Sequence, residues 1–151
     1  MKRQTTLALT LALPLLACGG DSDETLSFSL VSTCLQYQQP AMRVFRTDAE
    51  WQAAYRENGR GPAPAVDFGQ VIVAGQFDGP GSACTTFSVE EAVVRDGSIV
   101  VAATRHQSTQ PCIAIVAYPQ VAVQLPRRDE PVRFEIREVR GESTGPARAC
   151  S

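Results

Sequence analysis

Apolar and polar residues alternate one by one in several stretches of this chain. Leu26, Phe28 and Leu30 are apolar, with Ser27 and Ser29 between them. A period of two puts them on one face of a half-buried strand over residues 26–35. Residues 42–46 predict a short strand opened by Pro40, and the apolar run 71–74 predicts another. Two longer strands, 85–95 and 98–105, flank Asp96-Gly97. That dipeptide suits a two-residue hairpin turn, because both central positions of the turn need positive φ. Strands are expected at 112–117 and 120–125, broken by Tyr118-Pro119, and at 132–139, where Val132, Phe134 and Ile136 alternate with charged residues. One stretch has a helical period instead. Thr47-Asp48-Ala49-Glu50 has the spacing of a capping box, and Trp51, Ala54, Tyr55 and Asn58 follow on one face. Gly59 is the expected stop, and Trp51 is expected in the core. The sum is a mostly β fold: an antiparallel sandwich or open barrel of seven to eight strands with one short helix over an edge or end.

The N-terminus follows a different pattern. Lys2 and Arg3 precede an apolar run over residues 5–16. This is the layout of a secretory signal, too short for the roughly 20 residues that span a bilayer. Leu15-Leu16-Ala17-Cys18 closes the run and resembles the lipobox of bacterial lipoproteins. The resemblance implies a signal peptide over 1–17, cleavage before Cys18, and acyl chains on that residue. Two or more chains give stable anchoring. Residues 18–24 are small, polar and acidic and are expected to form a flexible tether. A single domain over 25–151 follows. Gly19 stands where lipoproteins retained at the inner membrane carry Asp, so the expected location is the bacterial cell envelope, at the outer membrane rather than the inner.

Loss of residues 1–17 would move the net charge from −2 to −4, since two bases and no acids go with it. An acidic surface argues against nucleic acid as a partner. Four cysteines remain besides Cys18: Cys34, Cys84, Cys112 and Cys150. In an exported domain an even number implies disulfides. Of three possible pairings, Cys84–Cys112 and Cys34–Cys150 are favoured. The first joins two strand starts, and the second ties the chain's beginning to its end. A metal site would need closer Cys spacing and more than the single His106, so no metal and no cofactor are expected.

Candidate chemistry is sparse. His106, the only histidine, is expected at a strand end, exposed, and not as a base beside a nucleophile. Glu90 and Glu91 are adjacent in a strand and should point to opposite faces. Asp78-Gly79-Pro80-Gly81 lacks the Lys and the helix of a phosphate loop and reads as a turn. Loops on a rigid sheet carry recognition, so Asp78, Gly79 and Gly81, with Arg105 and His106 nearby if Cys84 bonds Cys112, are the candidate partner contacts.

From residue 66 to residue 136 the order of features is Val66-Asp67-Phe68, Val71-Ile72-Val73-Ala74-Gly75, a glycine-rich turn, and Phe87-Ser88-Val89-Glu90. Asp96-Gly97-Ser98-Ile99, Gln110-Pro111-Cys112, Tyr118-Pro119, Leu125-Pro126 and Pro131-Val132-Arg133-Phe134 complete it. This order resembles the C-terminal domain of the protease-complex accessory lipoproteins, the PrcB-like family. The resemblance covers about half of the chain and implies an exported, lipid-anchored, non-catalytic protein that supports a surface protease complex. The expected function is therefore a non-enzymatic envelope lipoprotein that binds or stabilises a partner protein. A tethered protease inhibitor using loop 75–84 is the alternative, with a small-ligand-binding lipoprotein or a carboxylate enzyme as further readings.

Overall fold

The computed structural model describes residues 23–112 and 115–141. The expected signal peptide, Cys18 and Cys150 lie outside them. Among the described residues the chain is mostly β, with ten strands and one helix. The strands are β1 (Glu24–Thr25), β2 (Ser29–Leu30), β3 (Ala41–Phe45), β4 (Val71–Phe77), β5 (Gly81–Ser82), β6 (Thr85–Arg95), β7 (Ser98–Ser108), β8 (Val116–Ala117), β9 (Gln120–Pro126) and β10 (Val132–Gly141). The helix α1 is Asp48–Asn58. One sheet has the order β1-β6-β7-β10, a second β2-β9-β4-β3, and β5 and β8 form a small ribbon.

The apolar pattern explains the layering. β4 and β9 are buried on both faces, as near-continuous apolar strands must be. Ile72, Ala74, Val123 and Leu125 point to one side, where they meet Leu26, Ala92, Ile99, Val101 and Val132 of the other sheet. Val73, Phe77 and Ala122 point to the opposite side, where they meet Phe45, Phe68 and the helix residues Trp51, Ala54 and Tyr55. The β2-β9-β4-β3 sheet is thus the middle of three layers. Trp51 is fully buried, and its indole Nε1 donates to the Pro64 carbonyl at 2.9 Å.

The helix starts as its sequence dictates. The Glu50 amide donates to Thr47 Oγ1 at 3.3 Å, and the Thr47 amide donates to the Glu50 carboxylate at 3.2 Å. Its end has a different cause from the left-handed glycine cap expected. Gly59 has φ −86°, which any residue adopts. What requires glycine is space: a Cβ there would lie 2.6 Å from the Tyr55 carbonyl and ring.

Asp96 (φ 50°) and Gly97 (φ 68°) form the expected turn, and β6 and β7 pair antiparallel on either side of it. Three other expectations are corrected. Residues 26–35 are not one strand. Their chain leaves the first sheet after β1, which pairs with β6, and enters the second as β2, which pairs with β9. Within this otherwise antiparallel fold, on whose strand directions no separate expectation was set, β10 lies parallel to β7 along its whole length, Val132 opposite Ile99 and Gly141 opposite Ser108. The chain between them passes through the other sheet as β9, which supplies the long crossover that parallel strands need. Of the described residues in the expected strand 112–117, only Val116–Ala117 are strand, as β8. The predicted tether is bonded to the fold at its end: Asp23 pairs with Arg95 at 2.7 Å, and Glu24 pairs with Arg128.

Candidate functional site

The crossing of the N-terminal segment from one sheet to the other leaves a gap. β1 covers the outer edge of β6 only near Ala92–Val94, where Thr25 faces Val93 and the Leu26 amide donates to the Ala92 carbonyl at 2.8 Å. Further along, the segment has moved to β9, and the Val31 amide donates to the Ala122 carbonyl at 2.9 Å. Between the two lies a cavity of about 240 Å³. One wall is the open edge of β6, Thr85 to Val89. The second is Leu30 to Thr33, and the floor is Pro119 to Ala122. Among the described residues no charged side chain lines it.

The direction of the backbone groups along this edge follows from the ladder. The Ser108 amide donates to the Cys84 carbonyl across the β6–β7 ladder at 3.0 Å. In an antiparallel ladder the backbone groups alternate in direction. Thr86 and Ser88 therefore turn theirs to β7, while Thr85, Phe87 and Val89 turn theirs to the cavity. Among the described residues no strand pairs with β6 there. β10 also has an open edge, but its Arg133, Glu135, Arg137, Glu138 and Arg140 follow the usual protection of edges by charge. Residues 85–89 have none.

The walls are held by side-chain bonds. Gln120 accepts from Thr33 Oγ1 at 2.8 Å and from the Leu35 amide at 3.1 Å, and donates to the Leu35 and Tyr118 carbonyls. One amide thereby fixes segment 33–35 over the floor. At the start of β6, Cys84 and Cys112 form a disulfide with Cα atoms 5.8 Å apart. Cys34 is also disulfide-bonded; its predicted partner Cys150 lies outside the described residues.

The predicted contact residues divide. Asp78 and Arg105 do meet: Arg105 Nη2 lies 2.5 Å from Asp78 Oδ2, and its Nη1 lies 2.8 Å from Glu138 Oε1. The guanidinium sits 5.7 Å from the centre of the Phe87 ring. These residues hold Phe87 in the cavity wall and are not a free contact loop, since the Asp78 side chain is 12% exposed. Gly79 is buried with φ 76° against Gln39 and Pro40. Gly81 is exposed in β5. His106 lies inside β7 and not at its end, on the opposite face from Arg105, where its Nε2 is 3.0 Å from Ser88 Oγ.

That outer face holds a second polar group. A β-bulge falls between Val89 and Glu91, and the extra residue is Glu90. Its carboxylate accepts from the buried Thr104 hydroxyl and pairs with Arg137 at 3.4 Å. The Thr104 bond, then Arg137, hold the Glu90 carboxyl below the usual glutamate range. Glu91 faces Ala102 in the register. The bulge puts both glutamates on one face, against the expectation from strict alternation. Among the described residues no acid bonds the other ring nitrogen of His106 and no group of His, Cys, Asp and Glu could hold a metal.

Sequence reasoning missed the cavity. The one signal present was the uncharged run 85–89 ending abruptly at Glu90-Glu91. Comparison with protein-family models, with curated proteins and with solved structures gave no match to this chain.

Proposed function

We propose that this chain is a non-enzymatic envelope lipoprotein, anchored through acyl chains on Cys18, that binds a partner protein through the cavity beside β6. The observation that carries the reading is a cavity with no charged side chain among its described lining residues, set against a stretch of β6 that no described strand pairs with, whereas the open edge of β10 is rich in charge. The resemblance of residues 66–136 to protease-complex accessory lipoproteins supports a surface protease complex as the partner.

The alternatives have less support. An inhibitory loop must project into a protease cleft, but Gly75 and Phe77 are in the core and Asp78 is tied to Arg105. A pocket that encloses a small ligand usually measures about 300–1,000 Å³, and this one is smaller and open to solvent.

Cross-linking in intact cells, followed by fractionation and mass spectrometry, tests the proposal. The wild-type chain is expected in the membrane fraction with an envelope protein attached. Cys18→Ser is expected in the soluble fraction. Leu30→Glu changes a wall residue that is 51% exposed and should lose the partner while staying folded. Soluble wild-type protein, or equal recovery with Leu30→Glu, would contradict the reading.

A further inference from the structure

The geometry points to strand addition as the way the partner binds: an extended, uncharged peptide segment pairs with Thr85–Val89 as a new edge strand of the β1-β6-β7-β10 sheet. This rests on the cavity being the partner site and specifies what enters it. Three residues of β6, Thr85, Phe87 and Val89, present amide and carbonyl groups at alternate positions along one edge. That array is complementary only to another extended backbone, which offers donors and acceptors at the same repeat. Four or five residues of a partner would fill it, because Glu90 bulges at one end and the Cys84–Cys112 bridge closes the other.

The cavity also restricts the side chains. A strand laid on β6 turns alternate side chains inward, between Phe87 and Val89 on one side and Leu30 and Val121 on the other. Among the described residues no charged side chain lines the space to pair with a buried Lys, Arg, Asp or Glu, so such a residue would be desolvated without compensation. Hydroxyls of Ser32 and Thr33 edge the same space, which admits Ser or Thr as well as Val, Ile or Ala. The partner segment is therefore rich in β-branched and small residues and free of inward charges.

The test uses the full chain, solubilised in detergent, and a displayed library of random peptides about seven residues long, enough to pair along this edge. Enriched peptides are expected to lack charge at alternate positions. A photo-reactive group placed at residue 30 should label them. N-methylation at every second peptide bond should weaken binding on the order of tenfold or more, because each blocked amide leaves a β6 carbonyl unpaired, while methylation at the intervening bonds should have little effect. Binding should also slow hydrogen exchange at the Thr85, Phe87 and Val89 amides more than at Ser88, which already faces β7. Peptides that label residue 30 yet tolerate N-methylation at every position would overturn strand addition and leave the cavity as the partner site. Peptides that bind without labelling residue 30, or a library with no enriched peptide, would overturn both.

Discussion

Removing the bridge beside the cavity has a calculable effect. Cys84 and Cys112 are 28 positions apart. In the chain-entropy description, cross-linking a loop of that size lowers the entropy of the unfolded chain by about 12 cal/mol/K, or about 3.6 kcal/mol at 25 °C. The native ends need no distortion, since their Cα separation of 5.8 Å is ordinary for a disulfide. The native ladder also survives the change, because β6 and β7 stay joined by their turn and their register. The Cys84→Ser/Cys112→Ser double variant should therefore fold and lose about 3–4 kcal/mol in urea denaturation. Its melting temperature should fall by about 10–15 °C. Its denaturant slope should rise, as the uncrosslinked unfolded chain exposes more surface. A loss below about 1 kcal/mol would refute this reasoning, since it would mean that the unfolded chain gains little freedom from release of the bridge.

Three other substitutions probe the layers. Trp51→Ala should cost about 3–5 kcal/mol by leaving a cavity between helix and sheet, and the emission of the wild-type indole, the only one in the chain, should be blue-shifted and resist aqueous quenchers. Gly75→Ala should destabilise by about 1–3 kcal/mol, because a Cβ there would lie 2.6 Å from the buried Phe77 ring; unchanged thermal stability would contradict the packing. Thr104→Val removes the donor that holds the Glu90 carboxyl low, so a carboxyl titration by NMR should move Glu90 up toward 4.5, the ordinary value. The sign follows from linkage: a depressed folded carboxyl adds stability above the ordinary glutamate range and loses it as pH falls through the folded value. The advantage of wild type over Thr104→Val should accordingly shrink on acidification.

Much of the fold was legible because short-range chemistry decided it. Thr47 and Glu50 cap the helix that their spacing predicts, and Asp96-Gly97 makes the turn that positive φ requires. The apolar run at residues 71–74 signalled a strand, though not that it is the doubly buried centre of three layers. What was illegible depends on long-range placement. Residues 26–30 alternate as one strand would, yet they divide between two sheets, because β6 and β9 each need an edge partner there. β10 alternates identically whether its neighbour is parallel or antiparallel, so its direction was not encoded in the pattern. The bulge at Glu90 inverted the facing of one residue, which a period of two cannot reveal. The site was missed for the same reason: turn residues Asp78 and Gly79 drew attention as a loop, while the open edge lay in residues that read as ordinary strand.

Photo-cross-linking in intact cells is the most direct measurement on the central idea. A photo-reactive residue at position 30 lies in the cavity wall, and one at position 57 lies on the exposed face of α1, across the molecule's middle sheet. The account predicts a discrete protein adduct in the envelope fraction from position 30 and none from position 57. No adduct from position 30, or the same adduct from both, would contradict it.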